Sequence, residues 1–197
     1  MEKIKGTTDK SFPFYLIKKV GINCNVNPTV QFYGNPDDFE IGDNVRIDAF
    51  CILSGKIKLG SFIHISAGVY IFGSSKVILE DYSGLSSNVV LYTATDDFTE
   101  GHLINPMIPN EFRKVQSGPI HLKKHVQIGA GTIVLPNVTF GVGSTVGAMS
   151  FVKKSVEDFA VMAGCPAKKI RERNRERLFE LEEKHKQNEL RLRFVKI

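Results

Sequence analysis

The sequence of 197 residues contains no tryptophan, only three cysteines and no long apolar run. A membrane-spanning helix needs about 20 consecutive, mainly apolar residues, so the sequence predicts no such helix. Residues 1–9 mix charge and polarity and lack the apolar core of a secretory signal, which predicts a cytoplasmic protein. Cys24, Cys51 and Cys165 are odd in number and lack metal-type spacing. We therefore interpret them as reduced thiols and predict no essential metal.

The composition is that of an ordinary globular domain, because 42% of the residues are hydrophobic and 24% are charged. The net charge of +5 permits an anionic ligand without identifying one. Much of the basic charge lies between residues 168 and 193, where glutamates are interleaved and no aromatic platform accompanies the lysines and arginines. These features argue against nucleic-acid binding and favour an exposed helix.

An apolar residue recurs every six positions along most of the chain. The repeat begins at Ile41, slips by two residues before Leu79, breaks after Leu91 and resumes at Leu122. A small or turn-forming residue commonly follows a repeat position. The fifteen repeat positions are Ile41, Ile47, Leu53, Leu59, Ile65, Ile71, Leu79, Leu85, Leu91, Leu122, Ile128, Val134, Phe140, Val146 and Val152.

A spacing of six excludes the common regular structures. In a helix of 3.6 residues per turn these residues would drift around the axis. Successive β-hairpins would place turns roughly every 8–12 residues. Short strands with a corner every six residues fit the spacing, because each strand then points one large aliphatic side chain inward. Three such strands close a triangular coil, and stacked coils protect one another as in other solenoids.

The pattern divides the chain into three parts. Residues 1–40 lack the regular repeat and are predicted to form an N-terminal cap that covers the edge of the first coil. Residues 41–157 are predicted to form the hexapeptide-repeat β-helix, with an inserted loop over residues 93–118. Residues 158–197 are predicted to form a C-terminal turn and helix, with the helix running over residues 166–194.

The repeat over about residues 41–171 resembles the hexapeptide-repeat acyltransferases. The stretch AGCPAKKIR at residues 163–171 is similar to the A-G-x-P-A-K-x-I-R signature that ends the coils of those enzymes. The resemblance implies a mainly β fold, a left-handed parallel β-helix with a long inserted loop and a C-terminal α-helix. It also implies a homotrimer that binds acetyl-CoA between neighbouring subunits.

His102, in the inserted loop, is the candidate catalytic residue. A neutral imidazole near pH 7 can take a proton from a hydroxyl or amine that attacks a thioester. Gly101-His102 followed by Arg113-Lys114 is similar to the loop of galactoside and maltose acetyltransferases, whose catalytic histidine maps to His102. His125 is the second choice, and its place in a turn favours a structural role at a corner.

Polar residues near His102 are candidates for positioning it or for binding the acceptor. Asp96, Asp97 and Glu100 are candidates to orient the imidazole, since a carboxylate that accepts its N–H fixes the tautomer. The alternative is that these carboxylates only solvate the loop. The residues predicted to bind the acceptor sugar are Asp97, Asn105 and Arg113.

The coils after the loop contain the predicted acetyl-CoA site. The resemblance implies that backbone groups at two alanines hold the pantetheine arm and that a neighbouring glycine keeps the surface low. Basic side chains would supply hydrogen-bond donors for the phosphates of CoA. The predicted cofactor-binding residues are Gly129, Ala130, Ala148, Lys153, Lys154 and Arg171.

These features predict an acetyltransferase that moves an acetyl group directly from acetyl-CoA to a sugar hydroxyl or amino group, with His102 as general base. The acceptor would belong to a surface polysaccharide or be its nucleotide-sugar precursor. One alternative is a noncatalytic β-helix that serves binding or assembly and does not bind CoA. Another is a metal-dependent hydration on the same scaffold, but His64, His121 and His125 show no matching ligand pattern.

Overall fold

The computed structural model describes residues 11–195, with side chains described as far as Arg191. The first ten residues of the predicted N-terminal cap lie outside the described residues. The described chain is built from short strands, three 3-10 helices and one α-helix. The helices are the 3-10 turns Phe14–Leu16, Pro36–Asp38 and Asn110–Phe112 and the α-helix α1 (Arg175–Val195).

The strands are two to five residues long and follow one another at short intervals. Those before the inserted loop are β1 (Ser11–Phe12), β2 (Lys19–Val20), β3 (Asn25–Val26), β4 (Gln31–Tyr33), β5 (Phe39–Ile41), β6 (Val45–Ile47), β7 (Ile52–Ser54), β8 (Lys56–Leu59), β9 (Ile63–Ile65), β10 (Tyr70–Phe72), β11 (Lys76–Leu79), β12 (Gly84–Leu85) and β13 (Val90–Tyr92). The later ones are β14 (Ala94–Asp96), β15 (Val115–Ser117), β16 (Ile120–Leu122), β17 (Gln127–Ile128), β18 (Ile133–Val134), β19 (Val138–Phe140), β20 (Thr145–Val146), β21 (Phe151–Val152), β22 (Ala160–Ala163) and β23 (Lys168–Glu172).

Three parallel sheets form the sides of a solenoid. Sheet A contains β4, β7, β10, β13, β18 and β21; sheet B contains β2, β5, β8, β11, β16 and β19; and sheet C contains β3, β6, β9, β12, β17, β20 and β22. Each coil passes from sheet A to B to C and then returns to A one step further along the axis. The predicted mainly β fold of stacked coils is therefore confirmed.

The sheets meet at three corners. The A–B corner comprises residues 34–38, 55, 73–75, 93–119, 135–137 and 153–155. The B–C corner comprises residues 21–24, 42–44, 60–62, 80–83, 123–126, 141–144 and 157–159. The C–A corner comprises residues 27–30, 48–51, 66–69, 86–89, 129–132 and 147–150.

The core is one continuous column inside the three sheets. All fifteen repeat positions are buried, the most accessible being Ile41 at 5% exposure. The register of the sheets explains this, because Leu53, Ile71, Leu91 and Val134 occupy aligned positions in neighbouring strands. Each coil therefore covers the apolar residue of the next, and removal of this surface from water is the main stabilising term.

The parallel coils begin earlier than the predicted boundary at residue 41. Strands β2, β3 and β4 pair in parallel with β5, β6 and β7, so residues 19–33 form a coil of their own. Phe32 points inward from this coil and is fully buried. Strand β1 pairs antiparallel with β4 and covers the free edge of sheet A.

The carboxyl-terminal region also differs from the prediction. Residues 160–163 form β22, which continues sheet C in parallel, and residues 168–172 turn back as antiparallel β23. The α-helix therefore begins at Arg175, and the predicted start at residue 166 is wrong. Helix α1 is not apolar enough to span a membrane, and no other α-helix occurs between residues 11 and 195.

Helix α1 is held to the B–C corner by one nearly buried carboxylate. Glu182 pairs with Lys124 and with Lys186, the latter at 2.8 Å, and lies 2.7 Å from Nε2 of the buried His125. Burial alone would raise the pKa of Glu182, but these three partners outweigh it and hold its pKa at about 2. The ionised carboxylate therefore joins the helix to the solenoid at neutral pH.

Candidate active site

The inserted loop leaves the solenoid at the A–B corner, between β13 and β16. Its two ends pair as the antiparallel hairpin β14–β15, and Gly118 N–H donates to the Thr93 carbonyl at 2.9 Å to close the base. Because the ends of the loop are fixed to each other and to the rigid coils, the residues between them have a defined position. His102 lies in this segment.

His102 is held by Asp97. The His102 Nδ1 lies 3.0 Å from Asp97 Oδ2, and the imidazole is 37% exposed whereas the Asp97 side chain is 1% exposed. The backbone N–H of Thr99 contributes most to lowering the pKa of Asp97 to about 2, with further help from the Thr99 hydroxyl, His102 and the Glu100 N–H, although burial acts in the opposite direction. Asp97 is therefore a carboxylate at neutral pH, and a neutral His102 donates its Nδ1 proton to it.

That arrangement makes Nε2 the available proton acceptor. When Nδ1 carries the proton of the neutral ring, Nε2 has the free lone pair. Within residues 11–195, His102 makes its one side-chain hydrogen bond through Nδ1. The ionised Asp97 also favours the imidazolium that forms when Nε2 takes a proton. The pair has the chemistry of a general base with a positioning carboxylate.

Asp97 is positioned by a turn that the sequence analysis did not single out. Thr99 donates to Asp97 Oδ1 through its backbone N–H at 3.0 Å and through its hydroxyl at 2.9 Å, and the Glu100 N–H donates to Oδ2 at 3.1 Å. The signal is an Asp followed two residues later by Thr, which favours an Asx turn. Asn27 and Thr29 form the same pair of bonds elsewhere in the chain.

The predicted acceptor-binding residues also have partners within the loop. Arg113 donates to Asp96 Oδ1 at 2.8 Å, and both side chains are largely buried. The Asn105 Oδ1 accepts from the Met107 N–H at 2.9 Å, as in an Asx turn. These contacts, like those of Asp97, stabilise the loop. Binding of a sugar by Asp97, Asn105 and Arg113 remains a prediction.

The predicted donor residues divide between two corners. Ala130 and Ala148 lie at the C–A corner, with Ala148 exposed, whereas Lys153 and Lys154 lie at the A–B corner. The width of sheet A separates these corners, which for a strand of three residues is about 10 Å. The inserted loop that carries His102 leaves the solenoid at the A–B corner. The base of this loop and the C–A corner of Ala130 and Ala148, here called the alanine corner, therefore lie at opposite edges of sheet A.

The packing of neighbouring coils explains the glycine at position 129, independently of the predicted contact with the pantetheine arm. A Cβ at this position would lie 2.7 Å from the Gly147 carbonyl carbon and closer still to the Ala148 nitrogen, both in the next coil. The close stacking of coils therefore requires glycine here, whatever the surface binds.

Three lysines line one groove, the lysine groove, near the carboxyl-terminal coils. Lys153, Lys154 and Lys168 line a cavity of about 330 Å³ together with Phe151, Val152, Ser155, Met162, Pro166 and Ala167. Arg171 is exposed on β23 and is not among the residues that line this cavity. Lys168 thus joins the two predicted lysines, whereas Arg171 stands apart from them.

The other histidines do not share the surroundings of His102. His125 is buried at the B–C corner, stacks on Tyr82 and bonds to Glu182, so its role is structural and it is not available as a base. His64 bonds to Asp48 on sheet C, and His121 bonds to Glu80 on sheet B. Since these three imidazoles bond to three different carboxylates, they do not converge as the hydration alternative requires.

Between residues 11 and 195, one group of side chains has metal-ligating atoms close enough to share an ion. The ligand atoms of Asp97, Glu100 and His102 lie within 4.8 Å of one another. Asp97 is already bonded to His102, and Glu100 is paired with Lys114. The absence of an essential metal remains a prediction.

No family model matches the chain. It is 42% identical over 168 residues to the dTDP-4-amino-4,6-dideoxy-D-glucose acyltransferase of Escherichia coli, an alignment that covers 84% of this chain and 86% of that one. A variant of AntD, an N-acyltransferase from Bacillus cereus crystallised with dTDP-4-amino-4,6-dideoxyglucose and coenzyme A, superimposes with a TM-score of 0.84 and 39% identity. That superposition covers 92% of this chain and 99% of AntD.

A more distant structure has the same fold. The hexapeptide-repeat acetyltransferase VCA0836 from Vibrio cholerae superimposes with a TM-score of 0.54 at 20% identity, over 80% of this chain and 75% of that one. The likeness to the Escherichia coli enzyme and to AntD extends over most of each chain and identifies an acyltransferase. The chain belongs to the family of hexapeptide-repeat sugar acyltransferases with a left-handed β-helix.

Proposed function

We propose that this chain transfers an acyl group from acetyl-CoA, or a related acyl-CoA, to the amino group of a nucleotide-linked amino sugar. The observation that carries the proposal is the Asp97–His102 pair, which presents a base on a loop of an amino-sugar acyltransferase scaffold. The Escherichia coli relative is named for a dTDP-linked 4-amino sugar, and AntD has also been crystallised with dTDP and 3-hydroxybutyryl-CoA. Acyl-CoA and nucleotide sugars are cytoplasmic metabolites, so the proposed compartment is the cytoplasm.

The proposed reaction is a direct transfer. The sugar amine attacks the thioester carbonyl carbon, a C–N bond forms and the C–S bond breaks. Nε2 of His102 takes the proton that the nitrogen loses, and the imidazolium returns it to the departing thiolate. The products are the acylated sugar and free CoA. Asp97 positions His102 and favours its charged form during the transfer.

We further propose that the donor occupies the alanine corner and the lysine groove. Ala148 and its neighbour Ala130 present backbone groups with little side chain above them, which suits the thin pantetheine arm. Lys153, Lys154 and Lys168 supply ammonium groups for the CoA phosphates. The alanine corner and the base of the loop that carries His102 lie at opposite edges of sheet A in one chain, and we propose that a second copy contributes the loop to each site.

A homotrimer with sites between subunits satisfies this requirement. The outward face of sheet A is apolar and aromatic, with Tyr70, Phe72 and Tyr92 stacked along it at centroid distances of 5.8 and 5.7 Å. The outward residues of sheets B and C are mainly polar or charged, as at Lys56 and Arg46. An apolar sheet face of this kind favours a contact between copies.

The inserted loop carries a second apolar surface. Phe98, Leu103, Met107 and Phe112 are each at least half exposed in the single chain. Because exposed side chains of this size are suited to an interface, we propose that the loop of one copy lies against the next copy. His102 would then face the alanine corner of that neighbour.

The test is a transfer assay with the purified protein. Acetyl-CoA is incubated with dTDP-4-amino-4,6-dideoxyglucose, thiol release is followed, and the product is identified by mass spectrometry. The proposal predicts an N-acetylated nucleotide sugar, with no reaction of the matched 4-hydroxy sugar. Transfer to a hydroxyl instead would overturn the proposed acceptor, and failure to bind CoA would favour the noncatalytic alternative.

A further inference from the structure

Three carboxylates precede His102 in the inserted loop, at Asp96, Asp97 and Glu100. An oxygen of Asp97, an oxygen of Glu100 and a ring nitrogen of His102 lie within 4.8 Å of one another. A negative charge at that distance favours the imidazolium over the neutral ring. A general base has to be neutral before it takes a proton, so a second uncompensated carboxylate would work against the proposed role of the imidazole.

The returning segment of the loop supplies cations for two of the three carboxylates. Arg113 pairs with Asp96. Lys114 pairs with Glu100. Among the described residues, Asp97 has no lysine or arginine partner and bonds to the imidazole instead. Two of the negative charges are therefore matched by adjacent residues on the opposite side of the loop, and one is left for the base.

Lys114 is tied to the Asp97–His102 pair through its main chain as well as through its charge. Its carbonyl accepts from the Asp97 N–H at 2.8 Å. Its ammonium donates to Glu100, whose own N–H donates to Asp97 Oδ2 at 3.1 Å. The hydrogen bond to Glu100 raises the pKa of the Lys114 ammonium, and the charge of Asp97 contributes in the same direction. Lys114 is therefore a cation held beside the two carboxylates that surround the imidazole.

The pair of Lys114 and Glu100 is an exposed one, with side-chain exposures of 45% and 55%. Exposed ion pairs contribute little to the free energy of unfolding. Its charges nevertheless lie next to the one side chain whose protonation state decides whether the proposed reaction proceeds. The remaining charged residue of the returning segment, Glu111, is exposed on the 3-10 turn Asn110–Phe112 and has no ion-pair partner among the described residues.

We infer that Lys114 is a positioning residue that acts through His102. Its ammonium compensates Glu100, so that the imidazole faces one uncompensated carboxylate instead of two and stays neutral at a lower pH than it otherwise would. This inference rests on the proposed function, because it concerns the same base. It assigns the acid limit of the working pH range to an ion pair that joins the two sides of the loop.

The experiment follows kcat/KM against pH for thiol release from acetyl-CoA with dTDP-4-amino-4,6-dideoxyglucose. The acid limb of this profile reports the groups of the free enzyme and free substrate that have to be unprotonated. The test variants are Lys114→Met, Glu100→Gln and the double variant. The control is Lys56→Met, which removes the same charge at an exposed position of sheet B. The sugar amine titrates identically in all of these assays.

A second measurement observes the imidazole without turnover. The ring signals of labelled histidine are followed by NMR against pH in the same proteins, and the signal of His102 is assigned by its absence from His102→Ala. Thermal unfolding of each variant reports whether the protein is folded at every pH used.

We expect Lys114→Met to move the acid limb and the NMR midpoint of His102 to higher pH, because Glu100 is then uncompensated. A unit charge about 5 Å away in a half-exposed setting should give a shift of about half a pH unit or more. Glu100→Gln should move both midpoints to lower pH, and the double variant should return them close to the wild-type values. Lys56→Met should move neither. Added salt should reduce the shifts, because it screens exposed charges.

Unmoved midpoints in folded Lys114→Met would overturn the inference. Activity that falls equally at every pH, with unmoved midpoints, would also overturn it and would assign Lys114 to the structure of the loop or to binding. A midpoint in the double variant as far from wild type as that of Lys114→Met would show that Glu100 is not the charge that Lys114 compensates, and would contradict it as well.

Failure of the inference and failure of the proposed function give different results. An NMR midpoint that moves as expected, in a protein that transfers no acyl group, would keep the ion pair as the control of His102 and remove the enzyme function. Acyl transfer with the same pH profile and the same His102 midpoint in all variants would keep the function and remove the inference.

Discussion

His102 Nδ1 lies 3.0 Å from Asp97 Oδ2, inside a loop whose ends are joined by a two-stranded hairpin. The carboxylate is buried and ionised, and the imidazole is partly exposed. This relationship determines which ring nitrogen can accept a proton. It also shows that the loop has a defined backbone conformation, because the buried Asp97 carboxylate accepts four hydrogen bonds from residues of the loop.

Replacing His102 by alanine should remove the base and leave the donor site intact. We expect turnover to fall by about 10²–10⁴-fold, the usual contribution of general acid–base catalysis, with CoA affinity nearly unchanged. Thiol release and CoA titration measure the two quantities. His121→Ala is the matched control, because His121 bonds to Glu80 on sheet B and should leave turnover unaffected. Near-normal turnover in His102→Ala would remove the base assignment.

Replacing Asp97 by asparagine should change both the turnover and the way in which the stability of the fold depends on pH below about 4. The pKa of Asp97 is lowered from 3.8 to about 2, so its stabilising contribution is present above about pH 4 and is lost as the pH falls toward 2. Asp97→Asn should lack that part of the pH dependence of thermal unfolding. Its turnover should fall about tenfold or more, because the neutral amide no longer fixes the tautomer of His102.

The control for this variant is Glu111→Gln, an exposed exchange in the same loop. A merely structural role for Asp97 would lower the melting temperature and leave turnover per folded molecule unchanged. Equal turnover in the two variants would therefore contradict the positioning role.

Replacing Glu182 by glutamine should loosen helix α1. The side chain is 6% exposed and has three basic partners, so its exchange should destabilise the fold by about 1–3 kcal/mol, the range for a hydrogen-bonded charged group. Since its pKa is lowered from 4.5 to about 2, the stabilisation is present above about pH 4.5 and is lost toward pH 2. Glu183→Gln, the next residue, is exposed and should have little effect. Denaturant unfolding measures both, and equal stabilities would contradict the role of Glu182.

Substitutions in the lysine groove and at Arg171 should have different effects on the KM for acetyl-CoA. Lys153→Met combined with Lys154→Met should raise the KM for acetyl-CoA about tenfold and reduce its salt dependence, because two phosphate partners are lost. The sequence predicts the same effect on KM for Arg171→Ala, whereas the position of Arg171 outside the groove predicts a smaller one. A rise confined to Arg171→Ala would place the phosphates away from the groove.

The fold could be predicted from the sequence because one periodic feature determines it. A six-residue spacing of aliphatic residues requires short strands and corners, and all fifteen repeat positions are buried. The first coil is harder to recognise in the sequence, although Val20, Val26 and Phe32 have the same spacing. The segment Gly34–Asp38, which contains a 3-10 turn, shifts the register before Ile41 and hides the continuity.

The site could be predicted only in part. The position of His102 in the loop marks it as the candidate base, because the interruption of the repeat is a local feature of the sequence. The sequence does not show which of Asp96, Asp97 and Glu100 is its partner. All three lie within six residues of His102, and only the folded loop shows which carboxylate points toward the imidazole. The folded loop separates them: Asp96 pairs with Arg113 and Glu100 with Lys114, which leaves Asp97 for His102.

The division of the site between copies is the central claim, and complementation tests it most directly. His102→Ala removes the base, and Ala148→Trp fills the alanine corner, so each variant alone should be inactive. Coexpressed in equal amounts, they should regain about one quarter of wild-type activity, because one in four loop–corner contacts then joins two intact halves. A mixed assembly that stays inactive, although both variants are present in it, would contradict a site shared between copies.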